Sequence, residues 1–173
     1  SWWDQRRQAK TEFAEAMGRF EDALRITHQD LEESRREDVE SRHAQYPPID
    51  QVIAGALRRD GSLWMRRPEH PEFLKFRLGQ GTDIARVTIE GADQRSGLPE
   101  AIARVRSLAD EYSRVTHVPL VADLRASGGL GLCGPAGILR QARGAIAAQL
   151  AAQYSPAEVI VTCLTSAERV DGW

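Results

Sequence analysis

Residues 4–43 contain no proline, a single glycine and a charged side chain at nearly every turn. Within this run Phe13, Met17, Phe20, Leu24 and Leu31 recur at helical steps, with His28 filling the gap before Leu31. That spacing draws one narrow apolar stripe along a long helix. Glu15 with Arg19, Glu21 with Arg25 and Asp38 with Arg42 place opposite charges one turn apart, which favours the same helix. After Leu31 the stripe fades, and EESRREDVESRH reads as solvated helix. A stripe this thin cannot bury itself, so it must lie on another helix or another chain. A projecting stalk is expected, and the acidic residues between the arginines argue against a nucleic-acid arm.

Tyr46-Pro47-Pro48 stops the helix. A short helix over 49–59 follows, with Val52, Ile53, Ala56 and Leu57 on one face, and Asp60-Gly61 turns the chain. Prolines 68 and 71 precede an alternating run over 73–78; Gly79 and Gly81 break it, and 84–89 alternates again. Two antiparallel strands are the economical expectation. Pro99 opens a helix with Ile102, Val105, Leu108, Ala109 and Tyr112 at helical spacing. The last third reads as strand 118–124, a turn, short strand 130–133, helix 135–153 with Ile138, Leu139, Ala142, Ile146 and Leu150 inward, then strand 158–164. The unbroken apolar run EVIVTCL suits a strand covered on both faces, as in a parallel sheet. Strand, glycine-rich turn, helix and strand make one βαβ unit with a right-handed crossover. The expected class is therefore α/β: a P-loop-NTPase-like parallel-sheet domain over 61–173, degenerate at its loop, after a helical stalk and short helix over 1–60.

A net charge of −2 does not suit a general nucleic-acid binder. Cys133 and Cys163 each sit in an apolar run and read as two buried thiols. No apolar stretch reaches the roughly 18 residues of a membrane span, and no charged-then-apolar leader opens the chain. A start without Met and an abrupt end at Trp173 suggest a segment of a longer protein.

The segment LCGPAGILRQARGAIAAQL, residues 132–150, carries the chemistry question. A working phosphate loop uses glycines so that backbone N–H groups can wrap the β-phosphate, a lysine to neutralise the β- and γ-phosphates, and a Ser or Thr hydroxyl on Mg²⁺. Here Gly134 and Gly137 keep two of the glycine places, but Leu139, Arg140 and Gln141 stand where glycine, lysine and the hydroxyl belong. Leu139 would clash with phosphate or bury inward. Arg140 keeps the charge without the compact ammonium. Gln141 offers only a neutral amide oxygen to a metal. Hydrolysis is not expected; weak nucleotide binding through Gly137 and Arg140, or a loop that retains only the turn, both remain.

His28, His43, His70 and His117 have no metal-site spacing and read as surface residues, so no metal is expected. Asp123 is either an acid at a strand end or a turn residue, and Ser127 lies in a glycine turn without an evident base. Trp64, Arg66 and Arg67 form either a partner surface or an aromatic anchor for the proline turn with two solvated arginines.

The run LWMRRPEHPEFLKFRLGQG, residues 63–81, resembles the Leu-Trp-x-Arg-Arg-Pro and Phe-Leu-x-x-Arg-Leu-Gly-x-Gly signature of the type VII secretion ATPases, the EccC/EssC branch of the FtsK/SpoIIIE proteins. RASGGLGLCGPAG resembles that family's short strand pair before its first, degenerate loop, and IAAQLAAQYSPAEVIVTCLTS its helix, Ser-Pro, strand segment. AERVDGW stands where the family continues toward a Trp-rich stretch. The likeness covers roughly residues 46–173, with the charged helix in the stalk's place.

The resemblance implies a parent with two transmembrane helices before residue 1 and three ATPase modules beyond Trp173, which would bind ATP and Mg²⁺. It also implies hexameric assembly, contacts with other subunits of a secretion membrane complex, small helical WXG-type secreted proteins as cargo, and a place on the cytoplasmic side of the cell membrane. In intact relatives the strand after the loop's helix ends in an acidic residue; Thr165 occupies the nearest position here. The expectation for this segment is a non-catalytic coupling domain that holds no cofactor. The alternatives are a nucleotide-binding regulatory domain without hydrolysis and a segment of an FtsK-like DNA translocase, the latter disfavoured by the acidic balance.

Overall fold

The computed structural model describes residues 2–90 and 97–166. Its elements run α1 (Trp2–Gln45), α2 (Ile49–Arg58), β1 (Lys75–Ile84), α3 (Pro99–Tyr112), β2 (Arg114–Asp123), α4 (Leu124–Ser127) and α5 (Ala136–Gln153). The fold is mixed α and β, with a long N-terminal helix and one small two-stranded antiparallel sheet. Two compact units share the chain. The first takes the residues up to Arg42 and Gly81–Val118; the second takes His43–Gln80 and the residues from Pro119 on.

In the first unit, α1 carries the expected stripe: Leu31 is buried, and Met17, Phe20 and Leu24 are half-buried. Toward the N-terminus Phe13, Trp3 and Trp2 are exposed. Two expectations for this helix need correction. Glu21 reaches Arg104 of α3 in a two-pronged ion pair, with Oε2 2.8 Å from one guanidinium nitrogen. The polar half keeps Glu32, Glu33, Arg36, Glu37, Glu40 and Ser41 exposed, as expected, but Asp38 and Arg42 within it are buried. Arg42 donates through Nε to Asp38 (2.9 Å), and through its terminal nitrogens to Asp83 (2.8 Å) and the carbonyl of Ile84 (2.7 Å). Arg86 approaches the same Asp38 carboxylate at 3.5 Å. Burial would lower the Arg42 pKa, but the bonds to Asp38 and Asp83 more than offset it and the guanidinium is held above its ordinary value. Leu31, Val87, Tyr112 and Val115 close the apolar ground beside this pair, leaving a hollow of only about 10 Å³.

In the second unit, α2 packs on α5. Val52 is buried and Ala56 half-buried, but Ile53 and Leu57, expected on the same inward face, are exposed. Gly55 permits the following turn: a Cβ there would lie 2.7 Å from Ser62 Oγ and 3.1 Å from the Asp60 carboxylate. Asp60 in turn accepts from Ser62 N–H (3.0 Å) and Oγ (2.5 Å), which holds its pKa below the usual carboxylate range. Arg59 ends α2 in the left-handed region (φ 53°), where glycine is the usual residue.

The sheet departs most from expectation. The anticipated hairpin of 73–78 with 84–89 is replaced by one continuous strand, β1, which runs through Gly79 and Gly81. Its partner is β2. The ladder is flanked in the second unit by Leu124 N–H to Leu74 C=O (3.0 Å) and in the first by Ala85 N–H to Ser113 C=O (3.0 Å). Glycine weakens a strand but does not end one whose backbone groups find a partner. Phe76, Val115 and Val118 are almost fully buried and reward this pairing over the local hairpin. The expected parallel βαβ unit is not formed among the described residues: 130–133 and 158–164 are irregular. Ile160, Val161 and Leu164 stand exposed, as do both cysteines, so the expectation of buried thiols is also corrected. Among the described residues no strand forms at either place to cover Cys133 or Cys163. Residues 167–173, the AERVDGW stretch, lie outside the described residues.

Candidate functional site

The segment with phosphate-loop spacing lies in the second unit. Residues 129–135 are irregular and exposed, and Pro135 serves as N-cap of α5 without a side-chain capping bond. Gly134 sits in the bend before Pro135, and Gly137, Arg140 and Gln141 are exposed on the first turns of α5. A Cβ built on Gly134 or Gly137 meets nothing within 4 Å, so no neighbouring protein atom requires glycine at either place. Leu139 is half-buried, the inward alternative for its side chain, whereas Ile138, expected inward, is 60 % exposed. The segment can present helix N–H groups and one guanidinium to solvent. It has no hydroxyl at position 141 to hold a metal.

Trp64, Arg66 and Arg67 separate into different roles. Trp64 is 42 % exposed and adopts φ 57°, an outlier for a bulky residue. Two hydrogen bonds hold it there: its N–H donates to Ala152 C=O at 2.9 Å, and its indole Nε1–H to Ala151 C=O at 3.1 Å. Arg66 N–H donates to Gln153 C=O at 3.0 Å. The chain at 64–66 therefore satisfies the last carbonyls of α5, which have no partners within the helix. The Arg66 side chain is buried, donates to the carbonyls of Gln45 (2.9 Å) and Lys75, and stacks over the Tyr46 ring at 4.8 Å. It is not one of two solvated arginines. Arg67 does face solvent and pairs with Glu158 at 3.0 Å.

Around Arg66 the phenols are locked. Tyr46 donates to Glu72, and burial followed by that carboxylate pushes its pKa far up. Tyr154 donates to Lys75 C=O at 2.8 Å and meets Phe73 edge-on at 5.5 Å; burial raises its pKa, with Arg66 opposing. Gln149 is 3 % exposed and pairs with the backbone of β1 like a one-residue strand: its Oε1 accepts from Arg77 N–H (2.9 Å), and its Nε2 donates to Arg77 C=O (2.8 Å). The Arg77 side chain donates to Tyr46 C=O at 3.0 Å, and burial lowers its pKa with Asp50 opposing. Residues 64–77 of the signature run are thus joined to α5 and Tyr154 by hydrogen bonds, from the exposed indole of Trp64 to the buried carboxamide of Gln149.

Asp123 takes the turn role. Its Oδ1 accepts from Ala126 N–H at 3.0 Å as N-cap of α4, and Oδ2 lies 3.8 Å from Lys75 Nζ. Ser127 donates to Asp123 C=O at 2.7 Å, and Gly128 closes α4 at φ 68°. His28, His70 and His117 are exposed and His43 is half-buried. Among the described residues, no group of three or more His, Cys, Asp or Glu side chains could hold a metal ion.

The first unit holds a cleft of about 510 Å³ between α1 and α3, lined among others by Glu21, Leu24, Arg25, His28, Arg104 and Leu108. Tyr112, the last residue of α3, donates to Glu32 Oε1 at 2.5 Å, and Arg35 stacks on its ring at 4.6 Å. Burial, then the Glu32 carboxylate, push the Tyr112 phenol up to about 12. Arg35 also donates to the carbonyls of Glu111 (2.9 Å) and Arg114 (3.1 Å), capping the end of α3. Sequence reasoning paired Asp38 with Arg42, as the structure does, but did not foresee the burial of that pair, and it missed the Gln149 bridge and this Tyr112 cluster. Asp38 and Arg42 continue the stripe's steps from Leu31, and that spacing is the sequence signal for their burial.

No helix among the described residues is long and apolar enough to cross a membrane. The chain matches no family model and no curated protein.

Proposed function

We propose that this chain is a non-catalytic, ATPase-like coupling segment of a membrane-anchored secretion motor of the FtsK/SpoIIIE type, linking a membrane region to downstream ATPase modules. The observation that carries the reading is the make-up of 134–141: exposed Gly134, Gly137, Arg140 and Gln141 around half-buried Leu139, with neither the compact ammonium nor the hydroxyl that phosphoryl transfer requires. Support for coupling comes from exposed apolar side chains in both units. Phe13 on the stalk, and Leu57, Met65, Ile138, Ile160 and Leu164 in the second unit, are the kind of surface that protein partners cover. In this reading 158–164 is a strand that enters a P-loop-like parallel sheet once further protein covers it, and the stalk stripe meets neighbouring subunits of a hexamer. Cargo of the small helical WXG type, and ATP with Mg²⁺ in the other modules, belong to the same proposal.

The purified chain, mixed with ATP and Mg²⁺, tests it. No phosphate release above buffer and no thermal shift with ATP or ADP are expected. Micromolar ATP binding abolished by Arg140→Ala would replace the coupling reading with a nucleotide-binding regulatory one. Salt-dependent binding to duplex DNA would instead support a DNA translocase.

A further inference from the structure

The cleft between α1 and α3 is walled by two helix ridges. Glu21, Leu24, Arg25 and His28 follow one another along α1 at the steps that share a helix side, and Arg104, Ser107, Leu108 and Glu111 do the same along α3. Glu21 meets Arg104, and further along α1 both His28 (3.3 Å) and Glu32 (2.5 Å) meet the Tyr112 hydroxyl, so the two helices run in the same direction. Leu24 and Leu108, each half-buried, contribute the apolar part of the lining. At a rise of about 1.5 Å per residue, the wall from Glu21 to His28 is roughly 10 Å long.

Two ridges side by side leave a trough into which a third helix packs. The charges on its walls say what that helix must carry. Glu21 and Arg104 satisfy each other across the trough and ask nothing of an occupant. Arg25 on the α1 wall and Glu111 on the α3 wall are exposed and opposite in sign, and Asp22 comes no closer to Arg25 than 3.8 Å. An occupant that matches both walls has an acid on one flank, a base on the other and an apolar row between them. One face of an amphipathic helix supplies that pattern. Arg25 lies about 100° around α1 from Leu24, so the trough opens beside the apolar stripe and not along it. We propose that the cleft between α1 and α3 receives an amphipathic helix of another protein, its apolar row on Leu24 and Leu108, its acidic flank at Arg25 and its basic flank at Glu111. The contact rests on the coupling reading above, in which neighbouring copies take the stripe, and names the chemistry of the partner on the adjoining face.

Fluorescence anisotropy of a labelled, designed helical peptide of about 16 residues, titrated with the whole chain, tests the proposal. The peptide carries leucines at helical steps, glutamates along one flank and lysines along the other. Saturable micromolar binding is expected, and a companion peptide with glutamates on both flanks should bind about fivefold more weakly. Ser107 is exposed in the cleft, and serine and tryptophan are alike in helix propensity, so Ser107→Trp fills the cleft at little cost to α3. It should weaken binding at least about tenfold. Arg25→Glu should weaken it about fivefold, and Arg25→Glu/Glu111→Arg should restore it, since the peptide then lies the other way round. Urea midpoints equal to the parent's check that the variants keep the fold. The proposal is overturned by an absence of saturable binding at millimolar peptide, by a Ser107→Trp chain that binds like the parent, or by equal binding of the two peptides. Failure of the double variant to recover would overturn it as well. Self-association in sedimentation equilibrium that Ser107→Trp abolishes would give the cleft to a second copy and sink the partner helix. Phosphate release from ATP removes the coupling reading and leaves peptide binding intact, so the two failures are distinguishable.

Discussion

Replacing Gln149 with Leu tests how the second unit is held together. The carboxamide is 3 % exposed and answers both backbone groups of Arg77, taking the N–H at 2.9 Å and supplying a donor to the C=O at 2.8 Å. Leu has nearly the same volume, so little cavity forms, but two buried main-chain groups lose their partners. Each orphaned group costs about 1–3 kcal/mol, and the added apolar burial offsets part of the sum. A net loss of about 3 kcal/mol is expected, enough to move a urea midpoint by at least about 1 M. Gln149→Glu separates the two bonds: it keeps an acceptor for Arg77 N–H but sets a carboxylate oxygen against Arg77 C=O. The protonated acid can donate to that carbonyl, so the introduced group's native pKa should rise above its unfolded value. Its deficit relative to the parent should then be smallest below about pH 4 and grow as pH rises through the native pKa. Urea unfolding followed by circular dichroism, at several pH values, reads both effects. A Leu variant within about 0.5 kcal/mol of the parent would refute the claim that this side chain substitutes for a strand.

Three further outcomes follow from other sites. Asp38→Ala leaves the buried Arg42 cation with half-exposed Asp83 and one carbonyl, and should cost about 3 kcal/mol in thermal or urea unfolding. The paired change Asp38→Leu/Arg42→Met should recover most of that loss, and failure to recover it would mean that the ion pair is a net source of stability. Tyr46, Tyr112 and Tyr154 are all held above the ordinary phenol pKa, Tyr112 at about 12. Their contribution to stability is complete below about pH 10 and lost as pH rises through the native values, so tyrosinate absorbance near 295 nm should stay low at pH 10 in the folded chain and appear on adding urea. Arg59→Gly should raise the stability of α2 by about 0.5–1 kcal/mol, since Arg59 holds a left-handed cap that glycine adopts without a Cβ penalty; an unchanged melting temperature would count against that cap.

The longer helices were legible because proline punctuates them, whereas the one-turn α4 reads as the end of a strand and a turn. Pro47 and Pro48 end α1, Pro99 opens α3, and Pro135 and Pro156 bracket α5. Periodicity also found the inward side of α3 and the stripe of α1. The strands were less legible, since pairing is a contest between local and distant partners. Gly79 and Gly81 looked like breaks, but β2 supplies a distant ladder and Phe76, Val115 and Val118 supply its burial. Composition cannot reveal whether EVIVTCL has a cover; it shows only that the run would accept one. At the candidate loop, sequence correctly left Leu139 a choice and could not make it. The polar bridges at Arg66 and Gln149 stayed hidden because their partners are remote in sequence, whereas the Asp38–Arg42 pair was legible and only its burial was not.

Those bridges explain why the signature run is rich in residues that look like a surface. Arg66 and Arg77 each spend a guanidinium on backbone carbonyls: Gln45 and Lys75 for the first, Gly79 and Tyr46 for the second. The carbonyls of Gln45 and Tyr46, at the end of α1, have no partner further along the helix, and supplying them a donor removes a cost that no aliphatic side chain can remove. Lysine could donate to the same oxygens but would lose the planar fork and the stacking of Arg66 on Tyr46. Arginine at these two positions is therefore set by the folding of the second unit, with no ligand required to account for it. Residues left for partners are those that make no such bonds and sit exposed, such as Leu57, Met65, Ile160 and Leu164. Burial and bonding, rather than charge, separate the residues that hold the unit from those that can face a neighbour.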